Sequence, residues 1–384
     1  MDSPDIMAVV NGSGVTHYDV HGLVALRLVG APAHVLARVS RELGAPRASQ
    51  DREPDLTIRF VDDLPAHGYL RLLGLHDAAF DDEYFYLLDA QRQRARIDFA
   101  RLGEPGEIVC ERGIAEVPLL VPLLGLHLAR TGHVLLHAAS FVHRGHGVLV
   151  TGWQKGGKTE TLLPFMAAGA RYVADEWTVV GGGHDGGEPG MYGLSSIARV
   201  WDWHLREVPE LWDRITPAQR ARLRVWRAYR RLYRTLPRHD HLRSWPVRLL
   251  RQVSVDGGAA WQGVDAVPPA RLFGDRVETG RAPLDRIFLP VLGRDGAVDV
   301  LPTDARTVAA RMVSSLEFER ARLSVAYQQF RFAFPERANP LLDTIRDREL
   351  ALLTDALGDL PAYEIRHPYP VSLHDLYAAA DPYC

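Results

Sequence analysis

The segment Gly152-Trp153-Gln154-Lys155-Gly156-Gly157-Lys158-Thr159 restricts the fold of this 384-residue chain more than any other. Its pattern, Gly152-x-x-x-x-Gly157-Lys158-Thr159, is that of a phosphate-binding loop. Glycines let successive backbone N–H groups turn inward around phosphate oxygens. A helix that starts there adds the positive end of its dipole. Lys158 is placed to reach the β- and γ-phosphates of a nucleotide, and the Thr159 hydroxyl to ligate Mg²⁺. The flanks agree with this reading. Val148–Thr151 is an apolar strand, and the chain after the loop reads as a helix to about Ala168, with Gly169 as its stop and Pro164 bending it. The competing reading is a Gly-rich turn ahead of an ordinary helix. Lysine usage speaks against it: 43 of the 45 cationic side chains are Arg, and the two lysines are Lys155 and Lys158. The loop takes an ammonium where a planar guanidinium would not serve.

A second element follows from the first. Asp175-Glu176 begins 17 residues after Lys158. A helix from Gly157 to Ala168 leads about 18 Å away from the loop at 1.5 Å per residue. The strand Arg171–Ala174 then returns over about 13 Å. Its C-terminal end therefore lies near the loop, where α/β sheets bind ligands. Adjacent carboxylates on extended chain point to opposite faces. One of the pair can hold a metal while the other faces an acceptor; the bland alternative is a solvated acidic pair at a strand end.

Four motifs in order carry a resemblance: Leu136-His137-Ala138-Ala139-Ser140, Gly147-Val148-Leu149-Val150-Thr151-Gly152, Gly157-Lys158-Thr159-Glu160-Thr161, and Val173-Ala174-Asp175-Glu176. Together they resemble the core of HPr kinase/phosphorylase and its relatives, a family similar in fold to the ATP-dependent phosphoenolpyruvate carboxykinases. The resemblance covers about residues 130–205. It implies an α/β fold with a mixed-sheet P-loop kinase core, to which the chain's own patterns add a smaller N-terminal α+β domain. It implies ATP and Mg²⁺ as cofactors, with the loop residues Gly152 to Glu160 holding the nucleotide. It implies that Asp175 takes the proton from an acceptor hydroxyl, that His137 stands beside it, and that Lys158 and Arg199 stabilise phosphate charge. Thr159, Glu176 and Asp175 would surround the metal. Two positions depart from the family: Lys155 stands where it has glycine, and Glu176 where it has a shorter aspartate. The N-terminal 115 residues are unlike the family's own N-terminal domain, so its substrate does not carry over.

The rest of the chain organises around this core. Residues 1–115 read as an N-terminal domain with strands at Leu56–Val61 and Ala95–Ala100 and a helix at His34–Leu43. Residues 116–384 read as the nucleotide-binding domain, with an Arg-rich helical insertion at about 205–280. Within it we expect a helix at Val117–Arg130, one strand from Val134 to Val142 and a hairpin turn at His143–Gly147. Arg171–Ala174 and Thr178–Val180 are extended, and Gly181–Gly187 is a hairpin tip. Beyond the insertion, whose helix runs Pro217–Leu236 until Pro237 and Pro246 break the chain, Arg286–Leu292 and Ala297–Leu301 read as a hairpin about Asp295-Gly296. Helices at Asp304–Phe330 and Asn339–Leu357, a strand at Tyr363–Arg366 and a short terminal helix complete it.

Composition excludes several classes. At 47% hydrophobic and 24% charged, the chain is neither disordered nor fibrous. Its longest apolar run, Val117–Ala129, contains Pro118, Pro122 and His127 and falls short of the roughly 20 residues a membrane helix needs. With no signal pattern and two cysteines, Cys110 and Cys384, lacking metal spacing, a reduced cytoplasmic protein is the expectation, a single disulfide the alternative. The net charge is −3, yet Arg214–Arg251 holds 12 Arg and one acid, Asp240. Arg220, Arg224, Arg227, Arg231 and Arg234 form one stripe on a helix. That stripe either pairs with the acidic body or docks an acidic protein or peptide acceptor. No nucleic-acid module is present, and a homo-oligomer is allowed. His133, His137, His143 and His146 lack a fourth ligand for a metal. Trp153 and Trp177 are read as core, with stacking on a base or acceptor as the alternative. The expected activity is transfer of the γ-phosphoryl group to a hydroxyl, a Ser of a protein or peptide; the alternatives are a non-catalytic nucleotide-binding module and a small-molecule kinase.

Overall fold

Strands with apolar residues on both faces need cover on both sides, and the sequence provides several. The computed structural model describes residues 14–47, 49, 52–74, 77–182, 187–194, 198–235, 263–294 and 296–384. They form an α/β structure with mixed sheets and no barrel. The first sheet has eight strands in the order Val15–Val20, Val24–Val29, Leu56–Val61, Gly106–Glu111, Arg94–Arg96, Phe85–Leu88, Ala78–Phe80, Arg71–Leu73. Its middle three strands are parallel and its flanks antiparallel. Helix Ala33–Leu43 buries Val35, Leu36 and Val39 against it. The same core continues into helix Leu120–Arg130 and helix Ala321–Ala333, where Phe330 meets Phe85 and Phe99. The sheet's strands end at Glu111, but its core draws on chain far beyond residue 115.

The second sheet positions the site. Its six strands run Arg171–Ala174, Ala138–His143, His146–Thr151, Arg286–Leu292, Ala362–His367, Asp299–Thr303. Three of them, His146–Thr151, Arg286–Leu292 and Ala362–His367, are parallel, so Thr151, Leu292 and His367 end on one edge. Ala138–His143 runs against both His146–Thr151 and Arg171–Ala174, which puts Ala174 on that same edge. Helix Lys158–Ala167 covers this sheet through Phe165, stacked on Phe141 at 4.7 Å. A four-stranded antiparallel sheet, Ala282–Pro283, Gly190–Gly193, Thr178–Gly181, His133–Leu136, and a two-stranded one, Ala198–Trp201 with Gly263–Val267, complete the β structure.

Several sequence expectations are corrected. Val134–Val142 is not one strand. His133–Leu136 joins the four-stranded sheet and Ala138–His143 the six-stranded one, with His137 at the break. Arg286–Leu292 and Asp299–Thr303 are not a hairpin, because Ala362–His367 lies between them. The alternation at Ala95–Ala100 stops at Arg96. Asp98 accepts the Ala100 N–H and caps a 3-10 turn at Phe99–Arg101. Helix Leu120–Arg130 starts later than Val117, leaving Pro122 in its first turn. The long helix at Asp304–Phe330 is two helices, Ala305–Glu319 and Ala321–Ala333. Helices Ala33–Leu43 and Pro340–Leu357 and the hairpin about Arg144-Gly145 are as the sequence reads. Helix Pro217–Thr235 is present too; the chain from there to residue 262, including Pro237 and Pro246, lies outside the described residues, as do 183–186 and Asp295. Among the described residues no helix is long and apolar enough to cross a membrane, and Cys110 and Cys384 are free thiols.

The break between the two helices has a buried anchor. Arg320 and Glu349, at 10% and 5% side-chain exposure, form an ion pair. Burial raises the Glu349 pKa and the Arg320 hydrogen bond lowers it, with burial prevailing. Breaking such a pair strands one charge in the interior. Arg320→Ala should therefore cost about 3–5 kcal/mol, whereas Arg320→Met with Glu349→Leu should recover most of that loss. Urea unfolding of the three proteins measures both.

Candidate functional site

The glycine-rich segment Gly152–Thr159 leaves the sheet at Thr151 and closes on itself. The Gly156 N–H donates to the Trp153 carbonyl at 3.0 Å. Lys155 sits exposed at the apex with φ 60°, a left-handed conformation that glycine adopts more easily. Gly157, at φ 107°, caps helix Lys158–Ala167 and has no room for a side chain: a Cβ there would lie 2.2 Å from His367 Nε2. His367 is 1% exposed, and its Nε2 stands 3.2 Å from the Gly156 carbonyl. Lys158 is buried at 6% exposure, with Nζ donating to the carbonyls of Trp153 at 3.2 Å and Gly152 at 3.4 Å. Its ammonium points into the loop it would share with a phosphate. Burial lowers its pKa, and the carboxylates Glu176, Glu319, Asp175 and Glu160 act in the opposite direction.

Asp175 and Glu176 reach the loop, as the geometry of helix and returning strand requires. The Thr159 hydroxyl donates to Asp175 Oδ1 at 2.9 Å. Asp175 is 5% exposed; burial pushes its pKa well above the usual carboxylate value, Glu176 adds to the rise, and the Thr159 hydrogen bond acts against it. Glu176 turns the other way, its Oε2 3.4 Å from His137 Nε2. His137 lies at the strand break, with its Nδ1 2.6 Å from Glu319 Oε1 and its ring over Trp177 at 5.2 Å. The sequence reading set His137 beside Asp175; among the described residues its hydrogen-bonding partners are Glu319 and Glu176. Burial disfavours the charged imidazole, but its bonds to Glu176 and Glu319 outweigh burial and raise its pKa.

Glu160, one residue beyond Thr159, faces buried His204, with Nε2 3.6 Å from Oε1. Burial would raise the Glu160 pKa, yet His204 lowers it overall. The His204 Nδ1 accepts the Trp201 N–H, so Nε2 carries the proton that faces Glu160. Gln154 is exposed beside Lys155. Trp153 is 53% exposed, outside the core where its residue type is usually found, and its ring meets Phe318, 50% exposed, at 5.0 Å. Arg199 belongs to strand Ala198–Trp201; its side chain, and Ser195 to Ile197 before it, lie outside the described residues. The Arg stripe is partly spent on its own body: Arg227 bonds Asp202 at 2.7 Å and stacks on Trp212, and Arg220 reaches Asp213. The side chain of Arg234 lies outside the described residues.

The structure thus brings Lys158, Thr159, Asp175, Glu176 and His137 together, and adds Glu319, His367 and His204. None of these three carried a sequence signal. Glu319 lay inside what read as one uninterrupted helix, and His367 closes a strand whose pairing the sequence did not show. Among the described residues no group of three His, Cys, Asp or Glu side chains is arranged to hold a metal by itself. The oxygen set of Asp175, Glu176 and Thr159 nevertheless suits a hard divalent cation that keeps water and phosphate oxygens among its ligands. The chain matches no protein-family model and no curated protein.

The two carboxylates on His137 set a titration. Because its folded pKa is raised above the ordinary value of 6.5, the stability it contributes is present below that value and is lost as pH rises through the raised pKa. Glu319→Gln removes one of the two carboxylates, so the His137 ring should titrate at lower pH in that variant. An NMR titration of the ring protons reads the shift; an unchanged midpoint would show that Glu319 does not hold the imidazolium.

Proposed function

We propose that the protein is an ATP- and Mg²⁺-dependent kinase that transfers the γ-phosphoryl group to a hydroxyl, with Ser of a protein or peptide as acceptor, in a core of the HPr kinase/phosphoenolpyruvate carboxykinase type. The observation that carries this reading is the buried Asp175 carboxylate bonded to Thr159 of the loop, beside Lys158 and Glu176. Phosphoryl transfer needs positioning and charge stabilisation more than covalent chemistry, and this cluster supplies both.

Inward backbone N–H groups of the loop and the helix end after Gly157 would hold the phosphates, and Lys158 would exchange its two carbonyl partners for phosphate oxygens. The resident metal would be held by Thr159, Glu176 and Asp175, and when bound it neutralises charge on the transferring group. Asp175 accepts the proton of the acceptor hydroxyl as its oxygen bonds to the γ-phosphorus. The bond from that phosphorus to the β,γ-bridging oxygen breaks, and ADP leaves with the electron pair. His137 holds Glu176 at the edge of the same cluster. Glu319 fixes the other ring nitrogen, which makes Glu319 a positioning residue. Arg199 is proposed to contact phosphate, on the family resemblance alone. A cytoplasmic location belongs to the same reading.

Incubation with γ-labelled ATP, Mg²⁺ and a Ser-containing peptide pool tests the assignment. Lys158→Ala should lower transfer by about 10³-fold and Asp175→Asn by about 10²–10⁴-fold; transfer that survives either change sinks it. The raised pKa of Asp175 places the acid limb of the rate profile above the ordinary carboxylate range, so the rate should climb with pH until Asp175 is ionised.

A further inference from the structure

A groove leads away from the partner of His137. A cavity of about 290 Å³ lies between the N-terminal sheet and helix Ala321–Ala333, and one of about 210 Å³ between helix Ala33–Leu43, the start of helix Leu120–Arg130 and Glu319. Glu116, Leu119 and Arg322 line both, so the two cavities adjoin and together form the groove. Its inner end is Glu319, the carboxylate that binds His137 Nδ1. Glu42, at the end of helix Ala33–Leu43, lines the same inner cavity and is close enough to Glu176 to feel its charge. The outer cavity runs past Val325, 51% exposed, towards Asp77 and Gln329.

The direction of the groove matters. Lysine in a phosphate loop reaches the β- and γ-phosphates, and Lys158 Nζ rests on the Trp153 carbonyl. Trp153 therefore marks the γ end of the nucleotide, where an acceptor must arrive. Its ring meets Phe318, the residue before Glu319, and both rings are half exposed. This aromatic ledge adjoins the loop, and the next residue of the chain, Glu319, lines the inner cavity.

Charge selects the occupant. The groove carries five carboxylates, Asp77, Asp89, Glu42, Glu116 and Glu319, against two guanidinium groups, Arg38 and Arg322. Both guanidinium groups are directed at Glu116. Glu42 accepts no hydrogen bond among the described residues, and burial raises its pKa, with Arg38 pulling the other way. A carboxylate of this kind is stabilised by an incoming cation. The apolar floor at Leu119, Val121 and Val325 suits aliphatic side chains.

We propose that this groove docks the phosphoryl acceptor as an extended peptide segment of basic and apolar residues, its basic side chain at Glu42 and its hydroxyl delivered over the Trp153–Phe318 ledge to Asp175. The proposal rests on the kinase reading above and names its substrate class. It moves acceptor docking away from the Arg-rich helix, whose Arg220 and Arg227 already have acidic partners.

A degenerate peptide library around a fixed Ser, labelled from γ-labelled ATP, tests it. Arg or Lys and aliphatic residues should be enriched at fixed positions near the Ser. Glu42→Gln should raise KM for the best peptide about tenfold, more than it lowers kcat, as loss of one partly desolvated charge contact requires. Val325→Arg, at an exposed helix position, should raise that KM as well. Enrichment of acidic residues, label confined to free serine or other small hydroxyl compounds, or a KM indifferent to both changes would overturn the groove assignment. The melting temperature with ATP and Mg²⁺ separates the two readings. A protein that ATP stabilises and that labels peptides without basic enrichment overturns the groove alone, and one that ATP does not stabilise, or that labels no peptide, overturns the kinase reading beneath it.

Discussion

A carboxylate, Asp175, is held at 5% exposure against the Thr159 hydroxyl, and the site depends on that contact. Isolated, such a group would be expensive to bury as an anion. Here the backbone brings the opposite charge to it. Three parallel strands and Arg171–Ala174 end on one edge, so the loop after Thr151, the chain after Ala174 and His367 all meet there. The charges assembled on that edge, Lys158 against Asp175, Glu176, Glu160 and Glu319, stabilise neither member fully: burial lowers the lysine's pKa and raises the aspartate's. Strain of that kind is what a charged ligand can relieve.

Each acidic group in the site has a partner, and His137 serves two of them. Thr159 holds Asp175, His137 holds Glu176 and Glu319, and His204 faces Glu160. The two histidines keep neighbouring carboxylates apart, which lets several anions stand around one lysine. The helix break at Arg320 belongs to the same design. The buried Arg320–Glu349 pair sits at the junction of the two helices, next to Glu319 on His137 and to the groove beside Ala321–Ala333.

Much of this was legible in the sequence, for local reasons. The glycines, Lys158 and Thr159 declare a loop because its backbone conformation tolerates few other residues, and Asp175 follows by counting residues along a helix and a returning strand. Helices Ala33–Leu43, Pro217–Thr235 and Pro340–Leu357 carry their own periodicity and breakers. What failed was non-local. The apolar run at Val134–Val142 gives no sign that it serves two sheets, because both halves are equally buried. The hairpin expected at Arg286–Leu301 was lost to a strand some 60 residues later in the chain, Ala362–His367. Glu319, His367 and Glu42 became visible as site residues only once distant segments met; their spacing in the chain means nothing by itself. Composition left the Arg-rich block between pairing with the body and docking a partner, and Arg220 and Arg227 pair within the molecule.

The central proposal is that Asp175, a buried carboxylate whose pKa burial raises, belongs to a nucleotide site. Calorimetric titration of ATP with Mg²⁺ at mildly acidic pH, in buffers of different ionisation enthalpy, tests it most directly. The account predicts binding heats that vary with the buffer in the sense of proton release, and that Asp175→Asn abolishes this variation while nucleotide still binds. Binding without proton release, or release undiminished in Asp175→Asn, would contradict it.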